Sequence, residues 1–328
     1  MSGADARARV TAEEPAGPAP SVFIMGAGVV GTALAVRLAA AGLSVTGLHG
    51  RQVELSGGVR VSSGAVEVVR STGEIPQILS EADAVIISVR DDRIPEVAAR
   101  LVSEGRLRRE QILLHTSGAN PARTILATAA PHVRAVGTLH PLVSFSDARV
   151  AIEALGEIAF GIEGDAPARA LATRIVRALG ARAVILEAQN LALYHAGAVI
   201  ASNYVVALAD AARALLVKAG VPADQALPVL IPLLASVVQN LAEVGLPGAL
   251  TGPVERGDVT VVERHLGTLA ARAPELVELY RLVGRDVLRL ARQKGRLDPA
   301  SATRLEALFS GVAPAGPAGA NGGPEPGS

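Results

Sequence analysis

Short apolar runs alternate with amphipathic stretches in the first half of the chain. Turns rich in glycine or charge bound these runs, a pattern typical of buried strands alternating with helices. Strands are predicted at Ser21–Met25, Leu43–Leu48, Ala84–Val89, Ile112–His115 and Ala135–Leu139, and Leu155–Ile162 is a candidate last strand that could run antiparallel. Strand–helix alternation favours a parallel, doubly wound sheet, so the predicted fold class is α/β.

Helical periodicity dominates after Gly164. A helix is predicted over residues 166–179, followed by a strand-like link at residues 183–186. A long apolar helix is then predicted from Ala188 to Gly220, where Gly-Val-Pro ends it. Three or four further helices are expected, with breaks at Pro228, Pro232, Gly245-Leu-Pro and Gly252-Pro253.

These patterns predict two domains between two disordered ends. Residues 1–20 and 311–328 are rich in Pro, Gly and Ala, and we expect them to be disordered. Residues 21–164 are predicted to form a Rossmann domain. Residues 165–310 are predicted to form an all-helical substrate and dimerisation domain.

Composition then excludes several classes of function. The formal net charge is zero, which argues against a nucleic-acid binder or a protein of anionic membrane surfaces. The chain has no cysteine, which excludes disulfides, iron–sulfur clusters and cysteine-ligated zinc, and we expect no metal. No signal peptide is recognised, and polar residues such as His195 and Asp210 interrupt the apolar stretch 188–217. We therefore expect a cytoplasmic protein in which that stretch is a buried helix, with no membrane partner.

The first strand runs directly into a glycine-rich turn. Its G-x-G-x-x-G pattern comprises Gly26, Ala27, Gly28, Val29, Val30 and Gly31, and it opens an amphipathic helix. This is the context in which the pattern binds a dinucleotide, with the pyrophosphate at the helix N-terminus. The alternative is an ordinary glycine turn.

The end of the second strand indicates which dinucleotide is bound. An acidic residue here would bind the ribose hydroxyls of NAD, but the sequence has His49, Gly50 and Arg51. Arg51 could hold a 2′-phosphate, so we predict NADP(H), with His49 and Arg51 among the cofactor-binding residues. Arg51 could instead be a solvated loop residue.

Two further strand ends carry candidate site residues. Val89 and Ser117 are predicted to lie against the cofactor, because ligands bind beyond the carboxyl ends of parallel strands. Asp91 or Asp92 is expected to cap the following helix, and Ser117 could also belong to a capping turn. His140 lies in a predicted loop and could bind substrate or serve the structure alone.

The long helix carries the polar residues with the most specific spacing. His195, Ser202 and Asn203 are seven and eight residues apart, which returns them to nearly one face of a continuous helix. His195 could give a proton to a carbonyl oxygen during hydride transfer, with Asn203 and Ser202 orienting the substrate. The alternative is a core histidine that bonds to Asn203 or to a carbonyl.

Later helices offer ligands for an anionic substrate. Arg256 could bind a carboxylate, although Asp258 could neutralise it or cap the next helix. Asn240 is a further candidate substrate-binding residue.

Taken together, these motifs resemble Rossmann-like proteins with a DUF2520 domain. The resemblance covers about residues 21–290. It is carried by the glycine turn, Val89–Asp92, His115–Gly118, Leu139–Leu142 with Phe145, Tyr194-His195 to Tyr204, and Leu250–Asp258 with His265-Leu266. The family is similar to ketopantoate reductases, pyrroline-carboxylate reductases and F420-dependent NADP oxidoreductases.

The resemblance to ketopantoate reductases implies a site but also shows a departure from it. His195 falls where those enzymes have a catalytic lysine, Val199 where they have a first asparagine, and Asn203 where they have a second. Neither Lys218 nor Lys294 can replace that lysine. If the protein is a reductase, His195 is the leading proton donor.

Three functions follow as hypotheses. The first is an NADPH-dependent reductase of a small 2-keto acid, with ketopantoate suggested by the resemblance alone. The second is an imine reductase of the pyrroline-carboxylate type. The third is an NADP(H)-binding regulatory or scaffold protein without turnover. A homodimer is expected, because the apolar helices exceed what one small domain buries.

Overall fold

The computed structural model describes residues 19–50, 70–144, 152 and 155–311. The chain divides into two compact units, Met1–Ser202 and Asn203–Ser328. The sequence predicted a boundary after Gly164. The structural division falls later because a helix and a strand that follow Gly164 still pack with the sheet of the first unit. Both predicted disordered ends lie almost entirely outside the described residues.

An eight-stranded sheet forms the centre of the first unit. Its strands are β1 (Ser21–Met25), β2 (Ser44–His49), β3 (Arg70–Ser71), β4 (Ala84–Ile87), β5 (Ile112–His115), β6 (Ala135–Leu142), β7 (Ala159–Gly164) and β8 (Arg182–Ile185). They lie in the order β3-β2-β1-β4-β5-β6-β7-β8. The first six run parallel, whereas β7 is antiparallel to β6. The predicted doubly wound α/β class is confirmed.

Helices cover both faces of this sheet. They are α1 (Val29–Ala40), α2 (Ile94–Ser103), α3 (Ala122–Ile125), α4 (Ala166–Ala178) and α5 (Leu191–Ala201). Side chains of α1 and α4 share one buried cluster with Val22 and Ile24 of β1. Side chains of α2 share the other with Phe23 and Met25. Alternate residues of a strand point to opposite faces, so strands covered on both faces are apolar throughout.

The sheet continues further than the sequence predicted. His140, Pro141 and Leu142 do not form a loop, because β6 runs through them and pairs with β7. Proline is tolerated there because β5 pairs with β6 only up to Thr138, which leaves Pro141 no ladder bond to donate on that side. The predicted link at residues 183–186 is strand β8, so β7, although antiparallel, is not the last strand.

The second unit is helical, as predicted. Its helices are α6 (Asn203–Lys218), α7 (Ala223–Gly248), α8 (Pro253–Arg256), α9 (Val259–Arg272), α10 (Val277–Lys294) and α11 (Pro299–Ser310). The last four surround a core that contains Val262, Leu288 and Phe309. Contrary to expectation, Pro228 and Pro232 lie inside α7, whose non-helical residues are Gly245 and Leu246.

The long helix predicted from Ala188 to Gly220 is not continuous. Helix α5 ends at Ala201, Ser202 has non-helical dihedral angles (φ −121°, ψ −77°), and α6 begins at Asn203. The Ser202 hydroxyl donates to the carbonyl oxygen of Ala198 at 2.7 Å. Such a bond from a serine to the preceding turn favours a bend in the helix.

The prediction that this apolar stretch is buried is also wrong. In the most apolar windows of Ala188–Lys218 and Ala223–Arg256, only 6% and 0% of residues are buried. Both stretches are long and apolar enough to cross a membrane, by length and composition alone. Most of their large apolar side chains are exposed, although Val254 near the end of the second stretch belongs to the buried cluster of the second unit.

Candidate cofactor and active site

The β1–α1 turn has two positions that only glycine fits. Gly26 has φ +123°, and a Cβ atom there would lie 2.0 Å from the carbonyl oxygen of Ser88. A Cβ atom on Gly31 would lie 1.8 Å from the carbonyl oxygen of Gly26. The chain therefore turns sharply at Gly26 and packs α1 tightly against that turn through Gly31.

Gly28 differs from both, because a Cβ atom there would meet nothing within 4 Å. It is the N-cap of α1, and the first turn of this helix carries no acidic side chain. The unpaired backbone N–H groups of a helix N-terminus favour an anion. The space at Gly28 thus fits the pyrophosphate of a dinucleotide.

A groove of about 890 Å³ extends from this turn along the carboxyl ends of the parallel strands. Predicted cofactor residues that line it are Gly26, Ala27, Gly28, Val29, Val30, His49 and Val89. Gly31 lies behind the turn, Ser117 follows the lining residue Thr116, and Arg51 lies outside the described residues. Ligands of doubly wound sheets bind at this edge.

Helix α2 and the residue before it supply groove residues that sequence reasoning missed. Arg93, at the N-cap of α2, and Val97 and Arg100 within it line the groove. Residues 93, 97 and 100 recur at helical spacing, so their common face could have been recognised from the sequence. Both arginines already have acidic partners, since Arg93 binds Glu96 at 2.7 Å and Arg100 binds Glu104 at 2.6 Å.

His49, at the end of β2, is buried beside the same groove. Its Nδ1 lies 2.9 Å from the hydroxyl of Ser71. Burial, and then the nearby Arg100, lower the pKa of His49 below its ordinary value. In the protein without cofactor, burial thus favours the uncharged form of this imidazole.

Asp91 binds across the sheet edge rather than capping a helix. The Ser117 hydroxyl donates to its carboxylate at 2.6 Å, and the Asn120 amide donates to both Ser117 and Asp91. Neither Asp91 nor Asp92 forms a side-chain cap, so that expectation is wrong. Asp92 instead pairs with Arg90. Asp91 does not cap the helix because its carboxylate accepts the hydrogen bond from Ser117 instead.

A buried chain of hydrogen bonds holds Ser117 from behind. Its backbone N–H donates to Nδ1 of His115 at 3.1 Å, which leaves the proton of neutral His115 on Nε2. Nε2 then donates to the Thr138 hydroxyl, and that hydroxyl donates to Glu163. Burial, and then His140, lower the pKa of His115 to about 3. Sequence reasoning missed Thr138 and Glu163, although both are polar residues within apolar strands.

His140, Tyr194 and His195 form a second cluster in the first unit. Nδ1 of His140 lies 3.0 Å from the Tyr194 hydroxyl, and the two rings meet edge to face. The His140 and His195 ring centroids are 6.0 Å apart. Burial, and then His195, lower the pKa of His140 to about 4, against an opposing effect of Asp91. The structure thus brings together two of the histidines that the sequence singled out, and adds Tyr194.

Other predicted residues lie elsewhere. The spacing argument for His195, Ser202 and Asn203 assumed a continuous helix, and the helix is interrupted at Ser202. Asn203 opens α6 and Asn240 lies in α7. Arg256 forms an ion pair with Asp258 at 2.8 Å, which is the structural alternative that the sequence left open.

Two domain families match the sequence. The Rossmann-like domain matches residues 10–141, and the domain of unknown function DUF2520 matches residues 158–287. This chain combines a Rossmann-like domain with a DUF2520 domain. The resemblance stated from the motifs is confirmed. No curated protein matches the sequence.

Solved structures with the same fold extend over most of this Rossmann-like DUF2520 protein. A candidate NADP oxidoreductase from Bacteroides fragilis is 26% identical, with a TM-score of 0.61 over 82% of this chain and 98% of that one. A Thermotoga maritima protein is 23% identical, with a TM-score of 0.64 over 83% and 99%. Plasmodium falciparum pyrroline carboxylate reductase with NADP bound is 13% identical, with a TM-score of 0.53 over 88% and 98%.

Proposed function

We propose that this protein is an NADP(H)-dependent reductase of a small 2-keto acid. The proposal rests on one observation in the first unit: the groove that fits a dinucleotide and the paired histidines are joined by the short segment from Thr116 to Gly118. Thr116 lines the dinucleotide-type groove, and Gly118, two residues later, lies against the ring of His140. A cofactor groove that adjoins paired histidines can combine hydride transfer with proton transfer. The similarity to the Bacteroides fragilis protein supports the same class of activity.

The residues of the groove fit the cofactor. The backbone at Gly28–Val30 would hold the pyrophosphate, and Arg51 would hold the 2′-phosphate that distinguishes NADP from NAD. Bound NADPH would supply the hydride. Ser117, fixed by Asp91 and by His115, would bound the end of the groove that faces the substrate.

His195 is proposed as the proton donor to the substrate oxygen. It lies beside His140 and is only partly buried, so it can take up a new proton from solvent after each turnover. Asn203, Asn240 and Arg256 of the second unit are proposed as substrate ligands. Arg256 would exchange Asp258 for the substrate carboxylate, which suits the planar guanidinium. The Ser202 hydroxyl donates to Ala198, which weakens its predicted role in orienting substrate.

A second candidate is reduction of an imine. The fold likeness to pyrroline carboxylate reductase favours it. A protonated imine brings its own proton and would not require His195. Binding of NADP(H) without turnover would instead favour a regulatory or scaffold protein. Ketopantoate is the specific keto acid that the resemblance suggests.

We also propose a homodimer formed through the apolar helices. Large apolar side chains are exposed along α5, α6 and α7; Leu193 is 75% exposed, Val206 70% and Val238 67%. Contiguous exposed apolar surface marks an interface, and a second copy of the chain is the most economical partner.

The reductase proposal can be tested with purified protein alone. NADPH and NADH are titrated first, and 2-keto acids and cyclic imines are then added while the absorbance of the reduced nicotinamide is followed. Oxidation that depends on one keto acid supports the proposal. Oxidation with imines alone favours the second candidate. Tight NADPH binding without turnover favours the scaffold, and no binding of either cofactor refutes all three.

A further inference from the structure

The hydrogen bond between Tyr194 and His140 determines which ring nitrogen of His140 carries the proton. The Tyr194 hydroxyl is half-buried, and burial raises the pKa of this phenol, so it keeps its proton. The backbone of Gly161 lies against the same oxygen and lowers that pKa to a lesser extent. A phenol hydroxyl is a better hydrogen-bond donor than acceptor, and an unprotonated imidazole nitrogen is a good acceptor, so the Tyr194 proton is directed to Nδ1 of His140, 3.0 Å away.

This arrangement favours one tautomer of neutral His140. If Nδ1 accepts from Tyr194, the ring proton is on Nε2. The Nε2 end of the ring lies against Gly118, where a Cβ atom would come within 2.7 Å of Nε2. Within the part of the first unit that the structure describes, Nε2 of His140 has no hydrogen-bond partner. This N–H group therefore lies beside Gly118, two residues along the chain from Thr116, which lines the cofactor groove.

Two glycines lie against the rings of His140 and Tyr194, at positions where a side chain would overlap one of the rings. A Cβ atom on Gly161 would lie 2.7 Å from the Tyr194 hydroxyl, and one on Gly118 would overlap His140. Gly161 pairs with His140 in the β6–β7 ladder, so the sheet places His140 beside the glycine backbone against which the Tyr194 hydroxyl lies. Any larger residue at either position would displace one ring.

We propose that His140 donates its Nε2 hydrogen to the substrate oxygen as a neutral imidazole, and that Tyr194 is the positioning residue that holds it in this tautomer. The proposal rests on the reductase function and deepens it. It separates two tasks, because His140 polarises the carbonyl while its neighbour His195 delivers the proton.

This arrangement also selects a class of substrate. A carbonyl oxygen has lone pairs that accept a hydrogen bond from Nε2. A protonated imine has none at nitrogen, so the same donor would face an N–H group and gain nothing. The site as built therefore favours a ketone over an iminium ion.

The test compares two tyrosine–histidine pairs of the same chain. Tyr194→Phe removes the bond to His140, and Tyr280→Phe removes the matched bond between Tyr280 and Nδ1 of His265, 2.8 Å long, in the second unit. Nitrogen-15 NMR of histidine-labelled protein reports the tautomer, with His140→Gln assigning the signal. NADPH affinity and the kcat and KM for the keto acid that is turned over are measured beside it.

We expect wild-type His140 to be the Nε2–H tautomer at pH 7.5. In Tyr194→Phe this preference should be lost, and kcat should fall about 10- to 100-fold, near the lower end of the loss of one transition-state donor. NADPH affinity should be unchanged, and Tyr280→Phe should match the wild type in each measurement. An Nδ1–H tautomer in the wild type, or unchanged tautomer and kcat in Tyr194→Phe, refutes the inference alone. A wild-type protein that binds NADPH but reduces no ketone refutes the proposed function and the donor role with it.

Discussion

The carbonyl oxygen of Gly26 lies where a Cβ atom of Gly31 would have to be, with only 1.8 Å between the two positions. Backbone atoms cannot yield as a flexible side chain does. We therefore expect Gly31→Ala to lower the free energy of unfolding by about 3 kcal/mol or more, at the upper end of overpacking costs. NADPH binding should be lost as the turn shifts. Urea unfolding and an NADPH titration measure the two effects.

Gly28→Ala is the matched control for this prediction, because its Cβ atom would meet no protein atom within 4 Å. The stability should change by no more than about 1 kcal/mol, the effect of alanine at an N-cap. NADPH affinity should still fall, because the methyl group would occupy space next to the pyrophosphate. Equal stability of Gly31→Ala and the wild type would contradict the packing argument.

Replacement of His195 separates the two candidate reactions. With a keto acid, His195→Ala should lower kcat about 10²- to 10⁴-fold, because a general acid is lost. With an imine substrate the rate should change little. Steady-state kinetics with both substrates give the answer. His132→Ala, on an exposed 3-10 turn, is the control. A full rate with the keto acid would remove His195 from the mechanism.

Acid should destabilise the cofactor-free protein through its buried imidazoles. The pKa is lowered to about 3 for His115 and to about 4 for His140. The unfolded chain takes up these protons below a pH of about 6.5, whereas the folded chain does not. The stabilisation is therefore complete above that pH. It is lost as the pH falls towards 4, by up to about 1.4 kcal/mol per pH unit for each histidine.

Urea unfolding at pH 7.5, 6.5 and 5.5 checks this dependence. His115→Gln should reduce the slope between pH 6.5 and 5.5 by up to about 1.4 kcal/mol, even though it removes hydrogen bonds and is less stable at every pH. His132→Gln should keep the wild-type slope. An unchanged slope in His115→Gln would mean that His115 is protonated in the folded protein.

Local patterns predicted the strands and the glycine turn well, because each depends on residues that are close in sequence. Apart from Ser21 and His115 at their ends, the buried strands Ser21–Met25 and Ile112–His115 are apolar, and glycine is required wherever a Cβ atom would overlap the backbone. The extension of β6 through Pro141 was not predictable in this way. It depends on the absence of β5 beside that residue, which is a property of the assembled sheet.

The candidate site, too, was predictable from residues close in sequence but not where it depends on the packing of distant elements. His140 and His195 could be chosen from the sequence as polar residues in apolar surroundings, but their pairing through Tyr194 depends on the packing of α5 against the β6–β7 edge. The break at Ser202 was missed because the hydrophobic pattern continues across it, and one serine hydroxyl bond to Ala198 leaves no signal in that pattern. The exposure of α5 to α7 was missed because burial was inferred from hydrophobicity alone.

Arg51 should decide between the two nicotinamide cofactors. We expect Arg51→Ala to weaken NADPH binding about 10- to 100-fold, the value of a charge-assisted hydrogen bond to the 2′-phosphate. NADH affinity should be unchanged, which makes it the internal control. Titration of both cofactors by fluorescence measures this. Equal loss for both cofactors would indicate a general effect on the groove, and no loss for either would show that Arg51 does not contact the phosphate.

A charge placed on α7 should dissociate the proposed dimer. Val238 is 67% exposed on that helix, and Val238→Asp would bury a carboxylate if a second copy covers it. Light scattering after gel filtration without detergent should give twice the chain mass of 33.4 kDa for the wild type and a shift to the single chain mass in the variant. Thr260→Asp, at an exposed position of α9, should remain dimeric.

A wild-type monomer would show that there is no dimer, and a dimer that Val238→Asp leaves intact would show that the interface lies elsewhere. If the chain is recovered only in the membrane fraction, then lipid and not a second copy of the chain covers these helices.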